Sequence, residues 1–250
     1  MTDRIEKEIK FHNERFAKDS RKHLDKYYAI TTNARDLFIT KIKNKVANQK
    51  VLEYGCGEGS YSFELAKLKA DVYAIDISEV AIENAKKLAS ELKLNDFLDF
   101  KVMNAEELDF PDSFFDKICG NSILHHLELK KALLELNRVL KNKGSAIFIE
   151  PLGHNPFINL YRSLTKDLRT EDEHPLKISD LDLFKQYFEQ VTVHYFNLTT
   201  LLAIPFRKFS FFKNLLSMFN KLDSFLFKFS YMQKNAWIIL VELSNPKKMS

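Results

Sequence analysis

Little in this chain is built for punctuation or cross-linking: 250 residues hold six glycines, six prolines, two cysteines and one tryptophan. Such sparse glycine and proline exclude a collagen-like or low-complexity chain. Cys56 and Cys119 stand in unrelated contexts without CxxC spacing, so neither a disulfide framework nor a cysteine-based zinc site is implied. No run approaches the roughly 18 consecutive apolar residues that span a bilayer. The opening MTDRIEKEIK is charged from its third residue and lacks an apolar core, so no secretory signal and a cytoplasmic location are expected. Excess charge is also small: 38 basic residues against 34 acidic ones leave +4, which does not argue for nucleic acid.

What is present is an ordinary globular composition, 45% apolar and 29% charged, long enough for one sizeable α/β domain. Ile5, Ile9, Phe16 and Leu24 lie among charges and read as one or two amphipathic helices over 3–26. A second helical pattern covers 32–46. From residue 50, short apolar runs alternate with helical segments. Strands are expected at 51–54, 72–75, 98–103, 117–120 and 145–149, with helices at 62–68, 80–92 and 129–140. Lys141 to Gly144 reads as the stop of the last helix. Such alternation implies βαβ units and a doubly wound, mostly parallel sheet. After Glu150 it loosens into 151–176, rich in Pro, Gly and His, followed by a helix at 179–187 and strands at 191–197 and 236–242.

Three of the six glycines fall in Glu53-Tyr-Gly55-Cys56-Gly57-Glu-Gly59, between a buried strand and a helix. Glycines at this density permit positive φ and let backbone N–H groups approach a ligand. A dinucleotide-binding turn would read G-x-G-x-x-G, but Ser60 stands where that fingerprint wants its third glycine. Asp76 closes the neighbouring strand; alone it reads as a helix cap, but beside this turn it reads as an acceptor for ribose hydroxyls.

In this order, the residues resemble the class I S-adenosylmethionine-dependent methyltransferases, in the small-molecule branch that includes quinone-pathway enzymes. The resemblance covers roughly 48–150. It implies a Rossmann-like, doubly wound sheet of seven strands, order 3-2-1-4-5-7-6 with strand 7 antiparallel, and S-adenosyl-L-methionine as cofactor. Glu53, Gly55, Cys56, Gly57 and Gly59 correspond to the loop around the methionine part. Asp76 would hold the ribose, and Ile77 would lie beside the adenine. Asn104 and Ala105 stand where the family has Asp-Ala; Asn104 can accept the adenine amino group without supplying charge. Asn121 falls near the methionine carboxylate, ahead of Leu124-His125-His126-Leu127.

Methyl transfer from a sulfonium is an in-line displacement, so positioning and water exclusion dominate, with a base where the acceptor is a hydroxyl or acidic carbon. Asn121-Ser-Ile-Leu is not the Asn/Asp-Pro-Pro-aromatic motif of enzymes that flip nucleobases. No carboxylate triad with metal-ligand spacing is visible, so no metal is expected. Candidate bases are His126, His154 and His174, with His125, Tyr27 and Tyr28 as substrate contacts.

The stretch 205–231 contains eight Phe among Leu at helical spacing, with Arg207, Lys208, Lys213, Lys221 and Lys228 facing only Asp223. Such a segment can lie in a membrane interface, close over a greasy pocket or pack as core. Residues 1–47 are expected to cover the cofactor site and 48–250 to form the catalytic domain, with substrate or lid insertions at 151–180 and 198–235. The expected activity is methyl transfer to an oxygen or carbon of a small lipophilic molecule, with peripheral membrane contact through 205–231. The alternative is a non-catalytic cofactor-binding or membrane-surface adaptor on the same fold.

Overall fold

A computed structural model describes residues 3–17, 29–165 and 173–247. Tyr27 and Tyr28 lie outside the described residues.

Seven strands form one sheet: β1 (Lys50–Tyr54), β2 (Asp71–Asp76), β3 (Leu98–Val102), β4 (Phe115–Asn121), β5 (Leu140–Pro151), β6 (Phe188–Phe196) and β7 (Ile238–Pro246). Their order is 3-2-1-4-5-7-6. The pairs β1–β2, β1–β4, β2–β3 and β4–β5 are parallel, and β7 runs antiparallel to both its neighbours. The expected doubly wound topology is therefore the one observed.

Helices cover both faces, which is why the inner strands read as continuous apolar runs and not as alternating ones. On one face, α2 (Thr32–Lys43) buries Ala34, Phe38 and Ile42, α3 (Ser62–Lys67) buries Leu65, and α4 (Glu79–Glu91) buries Ile82 and Ala85. Those of α2 and α3 meet Val51, Val72, Ile147 and Leu240 from the sheet, and those of α4 meet Ala74 and Phe100. On the other face, α5 (Leu129–Val139) and α7 (Ile178–Tyr187) pack on Leu52, Tyr54, Ile118 and Phe148. Odd and even strand positions thus feed two different cores.

α1 (Asp3–Ala17) lies outside these layers and touches α4. Behind β5 comes α6 (Pro156–Leu164), which the sequence reading left as irregular chain. Its start signal is nevertheless written in the chain: Asn155 accepts from the Phe157 and Ile158 amides at 3.1 and 3.2 Å, and Pro156 follows it. The segment at Lys141 also differs from expectation. The helix does stop at Val139, but Leu140 begins β5 at once, with a register shift opposite Phe115 and Lys117.

Between β6 and β7 stand a 3-10 segment, Thr199–Phe206, and α8 (Phe212–Leu226). Asp223 fastens them together. Buried on α8, its carboxylate accepts from the amides of Leu198 and Thr199 at 3.0 and 2.6 Å, and from the hydroxyls of Thr199 and Thr200 at 2.6 and 3.1 Å. The one acid of 205–231 is spent inside, so every exposed charge on that segment is positive. Phe209, Phe211, Phe225 and Phe229 stand 46–57% exposed, which removes them from the core reading. Among the described residues, no helix is long and apolar enough to cross a membrane.

Candidate active site

The carboxyl ends of β1, β2, β4 and β5 open on one crevice, at the switch point where strand order reverses between β1 and β4. Ligands of open α/β sheets bind in this position. After β1, Gly55, Gly57 and Gly59 adopt φ of 72°, 53° and 86°. A Cβ on Gly55 would meet the Ile123 side chain at 2.8 Å, and one on Gly59 would meet Phe63 at 2.6 Å. The amides of Gly55 and Cys56 both donate to the Ile75 carbonyl, at 2.9 and 2.8 Å, and so fix the turn against β2.

Asp76 bridges the two strand ends. Its carboxylate accepts from the Gly57 amide at 2.7 Å and the Ser78 amide at 2.9 Å. A carboxylate has about four lone-pair sites, so this bracing leaves room for ligand hydroxyls.

Beyond the turn is a cavity of about 690 Å³. Of the cofactor contacts expected from the sequence, it brings together Gly55, Gly57, Asp76, Ile77, Asn104, Ala105 and Asn121. Asn104 accepts from the Glu106 amide at 3.0 Å, and the Ala105 carbonyl accepts the Tyr54 hydroxyl. Asn121 donates to the Tyr61 hydroxyl at 3.2 Å.

Three other expected contacts are not on the cavity wall. Glu53 is buried beneath the turn and accepts from the Tyr61 amide at 3.0 Å and from the Ser62 hydroxyl, so it anchors the start of α3. Burial pushes its carboxyl up to about 7. Cys56 points into the small core of Ala74, Ile82 and Phe100, where burial pushes its thiol well up. Gly59 serves the turn itself.

The histidines separate. His125 and His126 both line the cavity, with rings 4.3 Å apart. His154 does not: exposed, its Nε2 accepts the Ile178 amide at 3.1 Å and caps α7. His174 is exposed as well and is tied by its backbone amide to the His125 carbonyl at 3.1 Å. The catalytic roles expected of His154 and His174 therefore find no support in where they sit.

Sequence reasoning missed the partner that matters most. Glu150, wholly buried near the end of β5, accepts the Ile123 and Leu124 amides on Oε1, both at 2.9 Å. Its Oε2 lies 2.7 Å from Nδ1 of His125. With Nδ1 engaged, the other ring nitrogen is left for chemistry. A carboxylate behind an imidazole fixes its tautomer and orientation, as in triads. The only signal was an acid at a strand end.

α1 closes the side of the cavity. Arg4 pairs with buried Glu106 and donates to the His126 carbonyl at 2.8 Å, while Asn13 accepts the Ser78 hydroxyl at 2.6 Å. Ile158, Tyr161 and Arg162 of α6 supply part of another wall, and no residue of 198–235 lines the cavity. Of the segments expected to cover the site, α1 from 1–47 and α6 from 151–180 line the cavity, and 198–235 does not.

Residues 52–148 match the family model described as a methyltransferase domain. With the strand order and the glycine turn, this stretch is similar to the methyltransferase domains of the class I, S-adenosylmethionine-dependent type. The chain is similar to the ubiquinone/menaquinone biosynthesis C-methyltransferase UbiE of Rickettsia akari, at 37% identity over 123 residues, 46% of this chain and 49% of that one. The chain thus matches about half the length of the curated relatives. Among solved structures, geranyl diphosphate C-methyltransferase from Streptomyces coelicolor A3(2), in complex with Mg2+, geranyl diphosphate and S-adenosyl-L-homocysteine, superposes with a TM-score of 0.58 at 14% identity. That match covers 86% of this chain and 80% of the other. The PH0226 protein of Pyrococcus horikoshii OT3 gives 0.55 at 21% identity, covering 86% and 91%.

Proposed function

We propose that this chain transfers the methyl group of S-adenosyl-L-methionine to an oxygen or acidic carbon of a small, lipophilic acceptor, with His125 as the base and Glu150 positioning it. The observation that carries the proposal is the buried His125–Glu150 pair on the wall of the cavity that the glycine turn opens. The residues fit the cofactor: Asp76 offers acceptor sites at the end of β2, Asn104 an amide, and Gly57 a backbone free of side chain. When bound, that cofactor supplies an electrophilic methyl on positively charged sulfur.

His125 takes the acceptor's proton on Nε2, and the bound cofactor would supply the methyl group with its sulfur as the leaving atom. Glu150 holds the Nδ1–H and stabilises the imidazolium. Closing the wall with α1 and α6 keeps water out.

Acceptor class follows from two features. Ile5, Phe11, Phe16, Ile123, Ile158 and Trp237 make much of the cavity wall apolar. Outside, the exposed rings of Phe206, Phe209 and Phe211 cluster at 5.4–6.3 Å among lysines. A basic, aromatic surface suits the interface of an anionic membrane, from which an isoprenoid or quinone-like acceptor would be drawn.

Calorimetric titration with S-adenosyl-L-methionine and S-adenosyl-L-homocysteine, followed by a labelled-methyl screen of apolar hydroxylated acceptors, tests the reading. Micromolar binding with label transferred supports it; binding without transfer to any acceptor favours the adaptor alternative. Absence of binding refutes the site.

A further inference from the structure

Two donors of α1 and a third from a distant part of the sequence meet on the cavity wall. Glu8 and His12 stand one turn apart on α1, and His126 closes the 3-10 turn after β4. The Glu8 Oε2 lies 3.3 Å from Nε2 of His12 and 3.4 Å from Nδ1 of His126. All three donor atoms fall within 4.8 Å of one another.

Both separations exceed the roughly 2.7–2.9 Å of a charge-assisted N–H···O bond. They match a different geometry. With metal–ligand bonds of about 2.0–2.1 Å in a tetrahedron, neighbouring donors sit about 3.3 Å apart. A second observation is burial: Nδ1 of His126 lacks a hydrogen-bond partner on a side chain nine-tenths removed from solvent. A buried imidazole nitrogen left this way calls for an explanation, an unplaced ion among them. Of the four arginines on the cavity wall, Arg4 is matched by Glu106 and Arg162 by Glu173, the latter pair at 2.9 Å; the others are Arg15 and Arg35.

We propose that Glu8, His12 and His126 bind one divalent transition-metal ion of the zinc type, with the fourth position turned into the cavity to take an oxygen of the small-molecule ligand. All three residues line that cavity. Two histidines and one carboxylate, with a fourth place for water or ligand, form a donor set used by open zinc sites. Because Glu8 and His12 lie on α1 and His126 follows β4, one ion also latches α1 over the site. Linear spacing gives no metal site, whereas the proposed set joins residues 114 positions apart (His12 and His126).

The test uses the full chain stripped with a chelator and needs no acceptor, so its failure is separate from failure of methyl transfer. Zn2+ is titrated against a chelating indicator, and Co2+ is followed by its visible absorption, which is intense only in tetrahedral fields. One ion per chain is expected, with affinity reduced at least about tenfold in His12→Ala, His126→Ala and the near-isosteric Glu8→Gln. His194→Ala, at an ion pair on β6, should bind like the parent. Zn2+ should raise the thermal midpoint of the parent and leave that of the three variants unmoved, while each variant's own melting curve verifies folding. Absence of stoichiometric binding, or equal binding by the parent and a folded His126→Ala chain, overturns the site.

Discussion

Replacing Glu150 by Gln tests how the cavity sets the state of His125. In the parent, the two amides of Ile123 and Leu124 occupy Oε1, and Oε2 takes the Nδ1–H of His125 at 2.7 Å. A glutamine keeps the shape, and its single carbonyl goes to the pair of amides, because leaving buried N–H groups unmet costs about 1–3 kcal/mol each. Its NH2 then faces Nδ1, which must accept. The ring proton is driven to Nε2, the atom that has to take a proton in catalysis. Exchanging a charge-assisted bond of about 1.5–3 kcal/mol for a neutral one loses a comparable part of the stability, and the tautomer inverts. Nitrogen-15 NMR of histidine-labelled protein reads the result directly: the parent carries its proton on Nδ1, the variant on Nε2. Once an acceptor is in hand, transfer should fall by roughly 100- to 10,000-fold, with binding of S-adenosyl-L-homocysteine little changed. An unchanged tautomer, or a rate within threefold of the parent, would refute the pairing.

Other outcomes follow from the same physics. Burial raises the Glu53 carboxyl from 4.5 to about 7, so across that window the folded chain holds a proton that the unfolded chain has released. Stability should therefore fall as pH rises from about 4.5 to 7, by at most about 1.4 kcal/mol per pH unit, and level off above. Glu53→Gln removes that slope; denaturant curves at pH 5 and 8 that shift identically in parent and variant would contradict it. Asp223→Asn turns one of two accepting oxygens into a donor against buried amides and hydroxyls, and should cost about 2–4 kcal/mol in denaturant unfolding; a cost under about 0.5 kcal/mol would show that the carboxylate does not hold the segment. Burial raises the thiols of Cys56 and Cys119 well above their usual range, so a thiol reagent should label neither in the native chain and both in denaturant. Rapid native labelling would place either thiol in solvent.

Much of this molecule was written locally. The alternation of apolar runs with 3.6-period segments set the order of β1 to β5 and the helices between them. Three clustered glycines and an acid ending the next strand marked the crevice, because a positive-φ turn and a strand-end carboxylate are properties of short stretches. Even α6 carried its own start in Asn155-Pro156, although the surrounding Pro, Gly and His made the stretch look irregular. Segment 205–231 was legible as basic and aromatic, but which of its residues are exposed was not, since that depended on Asp223 turning inward to collect amides and hydroxyls from the chain before it.

The chemistry was decided by contacts across the chain. His125, His126, His154 and His174 are alike as letters; burial, and one carboxylate arriving from β5, separated a base candidate from a surface cap, His154, and an exposed side chain, His174. Glu53 and Cys56 share the turn's motif yet face away from the cavity, because a tight turn sends successive side chains in different directions. Glu8 and His12 gained meaning only when α1 was laid against His126. Local sequence sets backbone conformation through neighbouring sterics and periodicity, whereas the environment of a titratable side chain depends on groups brought to it by the sheet order. Those groups come from anywhere in the chain.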